Sequence, residues 1–183
     1  MLKSFLLGKA MLALKDGRCW KIILCFMCVA SIVILAIDSM IAQDSMDLDT
    51  IDMSLYFLDS EGQKLVPERR TVEYSGDITD QIKLVLIELI KGPVTGLAPT
   101  MPQGVDVREV FLDEKDCAYI DFSRTLSQNH PGGITGEMVT IGSIVNTLTS
   151  TFPKKIKKVR ILIDGREVST IAGHIDIMKP FSL

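Results

Sequence analysis

Two histidines are the first side chains to examine for chemistry in this 183-residue chain, because imidazole is the usual general base near neutral pH. His174 lies two residues before Asp176, and a carboxylate beside an imidazole can orient a general base. His130 lies in a polar segment next to Pro131-Gly132-Gly133. The sequence contains no Gly-x-Ser-x-Gly motif, and no serine or cysteine lies in a recognisable nucleophile turn. We therefore expect no catalytic residue, and we interpret His174 as solvated or structurally hydrogen-bonded.

Side chains that could hold a metal ion are equally sparse. Three of the four cysteines lie in or beside an N-terminal apolar run: Cys19, Cys25 and Cys28. Cys117 is therefore alone in the rest of the chain, where it can form neither a disulfide nor a zinc site with other cysteines. An acidic cluster at a predicted hairpin tip, whose spacing differs from that of an EF-hand loop, consists of Asp113, Glu114 and Asp116. We expect neither a metal nor a cofactor.

A basic run provides the first candidates for binding. It consists of Lys154, Lys155, Lys157 and Lys158, with Arg160 close behind. An acidic protein surface, lipid headgroups or an anionic wall polymer would complement such a run. Blocks of like charge also occur because they solvate a connection, so both interpretations stay open.

Four further polar residues are binding candidates because of the elements on which we expect them. Arg69 and Arg70 lie at a predicted strand edge. Asn146 and Thr147 lie on a predicted helix. The two helix residues either line a groove beside the apolar stripe or belong to the solvent-facing side of that helix.

One uninterrupted apolar run, Ile22–Ile37, distinguishes the N-terminal part of the chain. As a helix, Trp20–Ile37 would span roughly 27 Å, close to the hydrocarbon thickness of a bilayer. The first 37 residues carry five bases and one acid, whereas acids follow the run, and positive flanks stay in the cytoplasm. We therefore expect a retained anchor and an exported remainder. The alternative is a signal peptide cleaved after Met40-Ile41-Ala42, where the bulky Met40 disfavours cleavage.

These features divide the chain into a cytoplasmic leader at 1–19, a transmembrane anchor at 20–37, a stalk at 38–50 and a domain at 51–183. Residues 38–183 carry a net charge of −7 within a total of −3. A domain of that sign is not built to bind nucleic acid, and its length allows it to bury its own core.

Hydrophobic periodicity and turn residues predict three pairs of strands separated by two helices. The predicted strands are 53–58, 64–73, 105–112, 117–122, 159–163 and 167–171, with 159–163 central. The first helix follows 75–77 and presents an apolar face made of Ile78, Ile82, Val85, Leu86, Leu89 and Ile90. The second is capped by Thr135 and has an apolar stripe made of Met138, Ile141, Val145, Leu148 and Phe152. The order ββ-α-ββ-α-ββ predicts a two-layer α+β fold with both helices on one face of a mostly antiparallel sheet.

Several segments, taken in order, resemble those of the GerMN domain, which is named after a sporulation and spore-germination protein. They are Leu55–Val72, Leu89–Leu97, Tyr119–Leu126, Ile141–Pro153, Lys154–Val159, Ile161–Gly165 and Ala172–Pro180. Together they cover nearly the whole region that we expect to be exported. The resemblance implies a fold similar to the ring-building modules of secretion systems, present once or twice behind a membrane anchor or a lipoprotein signal. It attaches no catalytic residue to the domain.

Taken together with the apolar run and its flanking charges, the resemblance leads us to expect a non-enzymatic interaction or assembly module of the bacterial envelope, anchored by one span in the cytoplasmic membrane with its N-terminus inside. Envelope proteins or cell-wall polymer are the implied partners, and a homo-oligomer is a further option. The alternative function is binding of a cell-wall fragment or small molecule in a groove beside the second helix. A deep polar concavity would favour the ligand, whereas a shallow surface with an exposed sheet edge would favour assembly.

Overall fold

The structure, a computed structural model, describes residues 49–74 and 76–183. The predicted leader and anchor, together with most of the predicted stalk, lie outside the described residues. Within the described ranges, no helix is both long enough and apolar enough to cross a bilayer.

Two long strands, β1 (Asp49–Leu58) and β2 (Leu65–Tyr74), form an antiparallel two-stranded sheet. In the turn between them, the Asp59 side chain accepts the Gln63 N–H at 2.7 Å, and Gly62 adopts a φ of +71° that favours glycine. The core side of β1 is formed by Met53, Leu55 and Phe57. The first two predicted strands are therefore confirmed, although β1 begins two residues inside the predicted stalk.

The first long helix, α1 (Ile78–Ile90), begins where Asp77 caps it. The Asp77 carboxylate accepts the N–H groups of Thr79 at 2.8 Å and Asp80 at 3.0 Å, which satisfies donors that have no intrahelical partner. Its buried face consists of Ile82, Val85, Leu86 and Leu89, all of which were predicted. The helix ends before Gly92, which has a φ of +86°.

A second sheet contains β3 (Val107–Leu112), β4 (Cys117–Phe122) and β5 (Lys158–Ile163) in the order β3-β4-β5. β3 and β4 form the predicted hairpin. The short helix α2 (Thr125–Gln128) and the long helix α3 (Ile134–Thr151) connect β4 to β5, and this crossover makes β4 and β5 parallel. α2 lies between the predicted strand 117–122 and the second predicted helix, where the sequence analysis predicted no element.

Two sequence-based predictions about this sheet are wrong. The central strand is β4 rather than 159–163, and the described residues contain no strand at 167–171. The second error has a physical reason. The edge of β5 that faces away from β4 is already paired with another segment. Val159 exchanges two backbone hydrogen bonds of 2.8 Å with Phe181, so the C-terminal segment takes the place of a returning strand.

The α+β class is confirmed, but the described residues form two sheets instead of one mostly antiparallel sheet. Both sheets and both long helices contribute to one continuous hydrophobic core. Its fully buried side chains include Phe57, Leu86, Ile120, Phe122, Ile144 and Leu148. This shared core fixes the outer surfaces of α3 and β2, which carry the features described below.

Candidate functional site

An apolar groove of about 350 Å³ lies between α3 and the C-terminal segment. It is lined by Met138, Ile141, Gly142, Val145, Asn146, Ile175, Phe181, Ser182 and Leu183. Among the described residues, only Asn146 and Ser182 contribute polar side chains to this lining. Met138 is 60% exposed and Leu183 is 75% exposed, so the groove presents large apolar groups to water. Such a concavity is typical of a surface that a partner or ligand covers.

Hydroxyl groups on the opposite side of α3 determine which residues face the groove. Thr147 Oγ1 accepts the Tyr56 N–H at 3.0 Å, and Ser143 Oγ donates to the Tyr56 carbonyl at 2.7 Å. One turn later, Thr151 Oγ1 accepts the Ser54 N–H at 3.1 Å. These bonds satisfy backbone groups on the edge of β1 and fix the rotation of the helix. The groove therefore receives Met138, Gly142 and Asn146.

Two predictions about α3 are wrong, one about its buried face and one about its N-cap. Met138 was placed in the buried stripe but is exposed, whereas Ile144 is fully buried. The buried face is displaced because it includes the hydroxyl residues that bond to β1. The N-cap is Gly133, with a φ of +80° and no side-chain hydrogen bond, so Thr135 does not cap the helix.

Glu137 holds residues 172–175, here called the strap, against the first turn of α3. Its carboxylate accepts the N–H groups of His174 at 2.9 Å and Ile175 at 3.1 Å. It also accepts a 2.9 Å hydrogen bond from His174 Nδ1, and the Glu137 side chain is 0% exposed. Because Ile175 lines the groove, Glu137 fixes one of its walls.

The surroundings of Glu137 keep it ionised. Burial by itself raises the pKa of Glu137, but hydrogen bonds from the Ile175 N–H, the His174 ring and the N–H groups of Ala172 and His174 outweigh burial. The net pKa is lower than usual, because each of these donors favours the charged carboxylate. At neutral pH the group therefore acts only as an acceptor for the strap.

The partner of His174 is Glu137 and not Asp176. Asp176 instead accepts the Met178 N–H at 2.8 Å. Because the Glu137 carboxylate can only accept, His174 Nδ1 is the donor of this hydrogen bond. Among the described residues, no three His, Cys, Asp or Glu side chains are grouped so as to hold a metal ion. The geometry thus matches the interpretation of His174 as structurally hydrogen-bonded.

His130 belongs to a separate chain of hydrogen bonds before α3. Its Nδ1 accepts the Gly132 N–H at 3.0 Å, so Nε2 donates to Thr140 Oγ1 at 3.1 Å. Thr140 in turn donates to the Thr100 carbonyl at 2.7 Å. Burial lowers the pKa of His130, while the charge of Glu137 opposes that effect. The neutral imidazole therefore ties the segment before α3 to the core.

The two arginine candidates have different environments. Arg69 is exposed, whereas the Arg70 side chain is only 12% exposed. Arg70 Nε donates to Glu68 at 2.9 Å, and Nη1 pairs with Glu88 at 3.0 Å. Its guanidinium also lies 5.8 Å from the centroid of the Phe57 ring. Arg70 is thus occupied within the fold, while Arg69 remains accessible at the surface.

Glu68 is another buried carboxylate of the domain, as is Asp121 on β4. Its oxygens accept the N–H groups of Val94 and Thr95, the Thr95 hydroxyl and the Arg70 guanidinium. Burial raises the pKa of Glu68, but these donors outweigh it and lower the pKa to about 2. The carboxylate holds the segment after α1 against β2.

The helix candidates are also separated by the structure. Asn146 lies in the groove, where its Nδ2 donates to the Gly142 carbonyl at 2.7 Å. Thr147 is fully buried, and its hydroxyl is bonded to β1. Asn146 is therefore the candidate that a bound molecule can reach from the groove.

The lysine candidates lie in the turn between α3 and β5 and at the start of β5. All four are exposed, and Lys157 forms an ion pair with Asp116. The Asp116 carbonyl also accepts the N–H groups of Lys157 at 2.8 Å and Lys158 at 3.2 Å. The predicted candidates thus lie on β2, on α3 and in this turn, and they do not form one site.

Sequence analysis missed the structural roles of Glu68 and Glu137. Glu137 lies four residues before the buried Ile141, and Glu68 alternates with Val66 on β2. A charged residue at a core position of an otherwise regular pattern is the signal that could have identified each one. It would not have identified the strap, which is far from Glu137 in sequence.

Comparisons with known proteins agree with this fold. A structure of a candidate lipoprotein from Clostridium perfringens matches with a TM-score of 0.52 and 29% identity, covering 74% of this chain and 89% of that chain. The tandem GerMN domains of the sporulation protein GerM from Bacillus subtilis match with a TM-score of 0.57 and 22% identity, covering 73% of this chain and 46% of that chain. The first GerMN domain of the same protein matches with a TM-score of 0.56 and 22% identity, covering 72% of this chain and 97% of that one. No curated protein sequence matches the chain.

The family assignment comes from the sequence itself. The model of the Germane family, described as sporulation and spore germination, matches residues 54–169, which is more than half of the chain. This range includes β1 from its second half onward, both long helices and β5. It confirms the resemblance to the GerMN domain, and the chain belongs to the Germane family of sporulation and spore-germination domains.

Proposed function

We propose that this chain is a non-enzymatic assembly module of the bacterial envelope, and that it binds an apolar segment of another envelope protein in the groove beside α3. The observation that carries the proposal is the exposure of Met138 and Leu183 around a concavity to which the described residues contribute only two polar side chains. Burial of such a surface favours association.

The chemistry of the groove favours a protein segment over a wall fragment. Saccharides and short wall peptides are polar, and their recognition needs several convergent hydrogen-bonding groups. The groove offers Asn146, whose amide nitrogen is already used by α3, and Ser182. A small apolar molecule is compatible with the volume of about 350 Å³, which is near the lower end of the range of ligand pockets.

The proposal includes a membrane anchor at 20–37 and an extracytoplasmic domain. Support comes from the charge asymmetry around the apolar run and from the match to a candidate lipoprotein, a class of protein held at a membrane. A reporter that is active only outside the cytoplasm, fused after Leu183, tests the topology. An inactive reporter on a stably expressed fusion would contradict the proposed orientation.

The groove is tested by Met138→Asp in the full-length chain, with Met178→Asp as the matched control. Met178 is also exposed, at 42%, but it does not line the groove. We expect the charge at position 138 to abolish complementation of a deletion strain while thermal unfolding stays unchanged. The control variant should complement normally.

A photo-crosslinking residue at position 138 identifies the occupant. The expected result is one discrete protein adduct in native membranes, which is lost when Asn146→Arg narrows the groove. Full complementation by Met138→Asp would overturn the proposed site. Saturable binding of a purified wall fragment, abolished by Met138→Asp, would replace the protein partner with the ligand.

A further inference from the structure

The outer edge of β2 carries backbone groups that point away from its partner strand. The helix hydroxyls bond to Ser54 and Tyr56, so the even-numbered residues of β1 face away from β2. In the observed register, Ser54 is opposite Arg69. Ser54 and Arg69 therefore form a non-hydrogen-bonded pair of the antiparallel sheet, in which both residues direct their N–H and C=O groups away from each other's strand. Arg69, Thr71 and Glu73 therefore present these groups at the outer edge.

This edge is accessible in the part of the chain that the structure describes. Arg69, Thr71 and Glu73 are all exposed, and none of the described residues forms a hydrogen bond with their backbone groups. Pro67 lacks an N–H group, so it limits pairing to the later half of the strand. β1, by contrast, has its outer edge covered by α3 and by Ala98. An open edge of this kind can pair with another strand.

The sequence of this edge is self-complementary. If two copies of β2 pair antiparallel about a two-fold axis at Thr71, Arg69 of each copy lies opposite Glu73 of the other. Opposite charges directly across a strand pair stabilise it, and Thr–Thr pairs are also favourable. We propose that β2 pairs with β2 of a second copy of this chain in this register, forming a four-stranded sheet across a symmetric dimer.

The pairing leaves the interior unchanged. Glu68 and Arg70 alternate with the edge residues and bond to α1 and the segment after it, so their side chains do not move when the edge is covered. A two-fold contact is also the commonest symmetry of homo-oligomers. The proposal involves a different surface from the groove beside α3 and does not depend on it.

Disulfide crosslinking of the full-length chain tests the register. The background variant has Cys19, Cys25 and Cys28 replaced by serine and Cys117 replaced by alanine. In the proposed dimer the two Thr71 Cα atoms are about 5.5 Å apart, within the range for a disulfide, so Thr71→Cys should give a covalent dimer. Arg69→Cys alone should not, because its symmetry mate is about 14 Å away at roughly 3.4 Å per residue.

Two controls separate this contact from random collision. A mixture of the Arg69→Cys and Glu73→Cys chains should crosslink, because these positions face each other. Lys179→Cys, an exposed position outside β2, should give only background. Absence of a Thr71→Cys dimer above the Lys179→Cys background, with circular dichroism unchanged, would overturn the proposal. Equal crosslinking of Thr71→Cys and Arg69→Cys would also overturn it.

Charge substitutions test complementarity in the Thr71→Cys background. Arg69→Glu places like charges opposite each other twice in the dimer, and we expect crosslinking to fall about tenfold. The exchange Arg69→Glu with Glu73→Arg restores opposite charges and should return crosslinking close to its original level. Failure of the exchange to recover crosslinking would show that the two residues do not face each other.

Discussion

Two buried carboxylates, Glu68 on β2 and Glu137 on α3, are stabilised by different kinds of partner. Glu68 accepts two backbone N–H groups and is also paired with the permanent charge of Arg70, which in turn reaches Glu88. Glu137 is more deeply buried and relies mainly on backbone N–H groups of the strap. Its other partner, His174, is 43% exposed on its side chain.

The Glu68 contact is therefore part of the structural core, whereas the Glu137 contact positions a surface segment. A buried arginine between two carboxylates stays charged at every accessible pH, so the Glu68 network behaves as part of the core. The Glu137 contact holds a short segment that has no strand or helix of its own but contributes Ile175 to the groove. Removal of the side-chain donor should therefore destabilise the fold strongly at Glu68 and only slightly at Glu137.

The largest effect is expected for Arg70→Ala. This substitution leaves Glu68 and Glu88 without their shared cation, and loss of one partner of a buried ion pair destabilises by about 3–5 kcal/mol. Arg166→Ala is the matched control, since an exposed residue outside β2 should change the free energy of unfolding by less than about 0.5 kcal/mol. Chemical denaturation of both variants measures the difference. Equal, small effects would show that the Glu68 network does not stabilise the fold.

Acid should produce the next largest effect through Glu68. Its pKa in the folded chain is about 2, below the ordinary value of 4.5, so the unfolded chain takes up the proton first as pH falls. The stabilisation is therefore present above about pH 4.5 and is lost toward pH 2, in total about 3 kcal/mol for this displacement.

The pH effect is measured by denaturant titrations at several values between pH 7 and pH 2. Glu68→Gln removes the titrating group, so its stability should depend less steeply on pH in this window. The lowered pKa of Glu137 acts in the same direction and leaves a residual slope. A variant with the same slope as the parent chain would mean that Glu68 contributes nothing to the acid response.

The sequence predicted α1 more accurately than α3 for a physical reason. The buried face of α1 is entirely apolar, so helical periodicity identifies it completely. The buried face of α3 includes Ser143 and Thr147. Burial of their hydroxyl groups is favourable because these groups bond to Tyr56, about ninety residues earlier in sequence. Periodicity carries no information about such bonds, which is why Met138 was assigned to the wrong side.

The candidate site was predictable only in part. A groove beside the second helix was one of the two open interpretations, and Asn146 does line it. Its opposite wall comes from Ile175, Phe181 and Leu183, in a region where the sequence predicted a returning strand only as far as residue 171. The position of that wall depends on Glu137 and on the pairing of Phe181 with Val159, and both are long-range contacts.

Glu137→Gln should have an intermediate effect. The neutral amide keeps one acceptor oxygen but places an NH₂ group among the N–H donors of the strap, and we expect a loss of about 2 kcal/mol. Glu109→Gln, at an exposed position, is the control. Hydrogen exchange should accelerate at His174 and Ile175 and stay unchanged at Val94 and Thr95. Equal acceleration at both pairs would show global loosening instead of release of the strap.

The smallest effect is expected for His174→Ala, which removes the side-chain partner of Glu137 as Arg70→Ala removes that of Glu68. Here the backbone N–H groups of Ala172, His174 and Ile175 remain, so Glu137 keeps its principal donors. The deleted imidazole is partly exposed, and we expect a cost below about 1 kcal/mol and normal complementation of a deletion strain. A cost similar to that of Arg70→Ala would show that both carboxylates need a side-chain donor. Loss of complementation by a variant that folds normally and retains the Met138 adduct would assign a chemical role to the imidazole, because neither the fold nor the groove would then explain the defect.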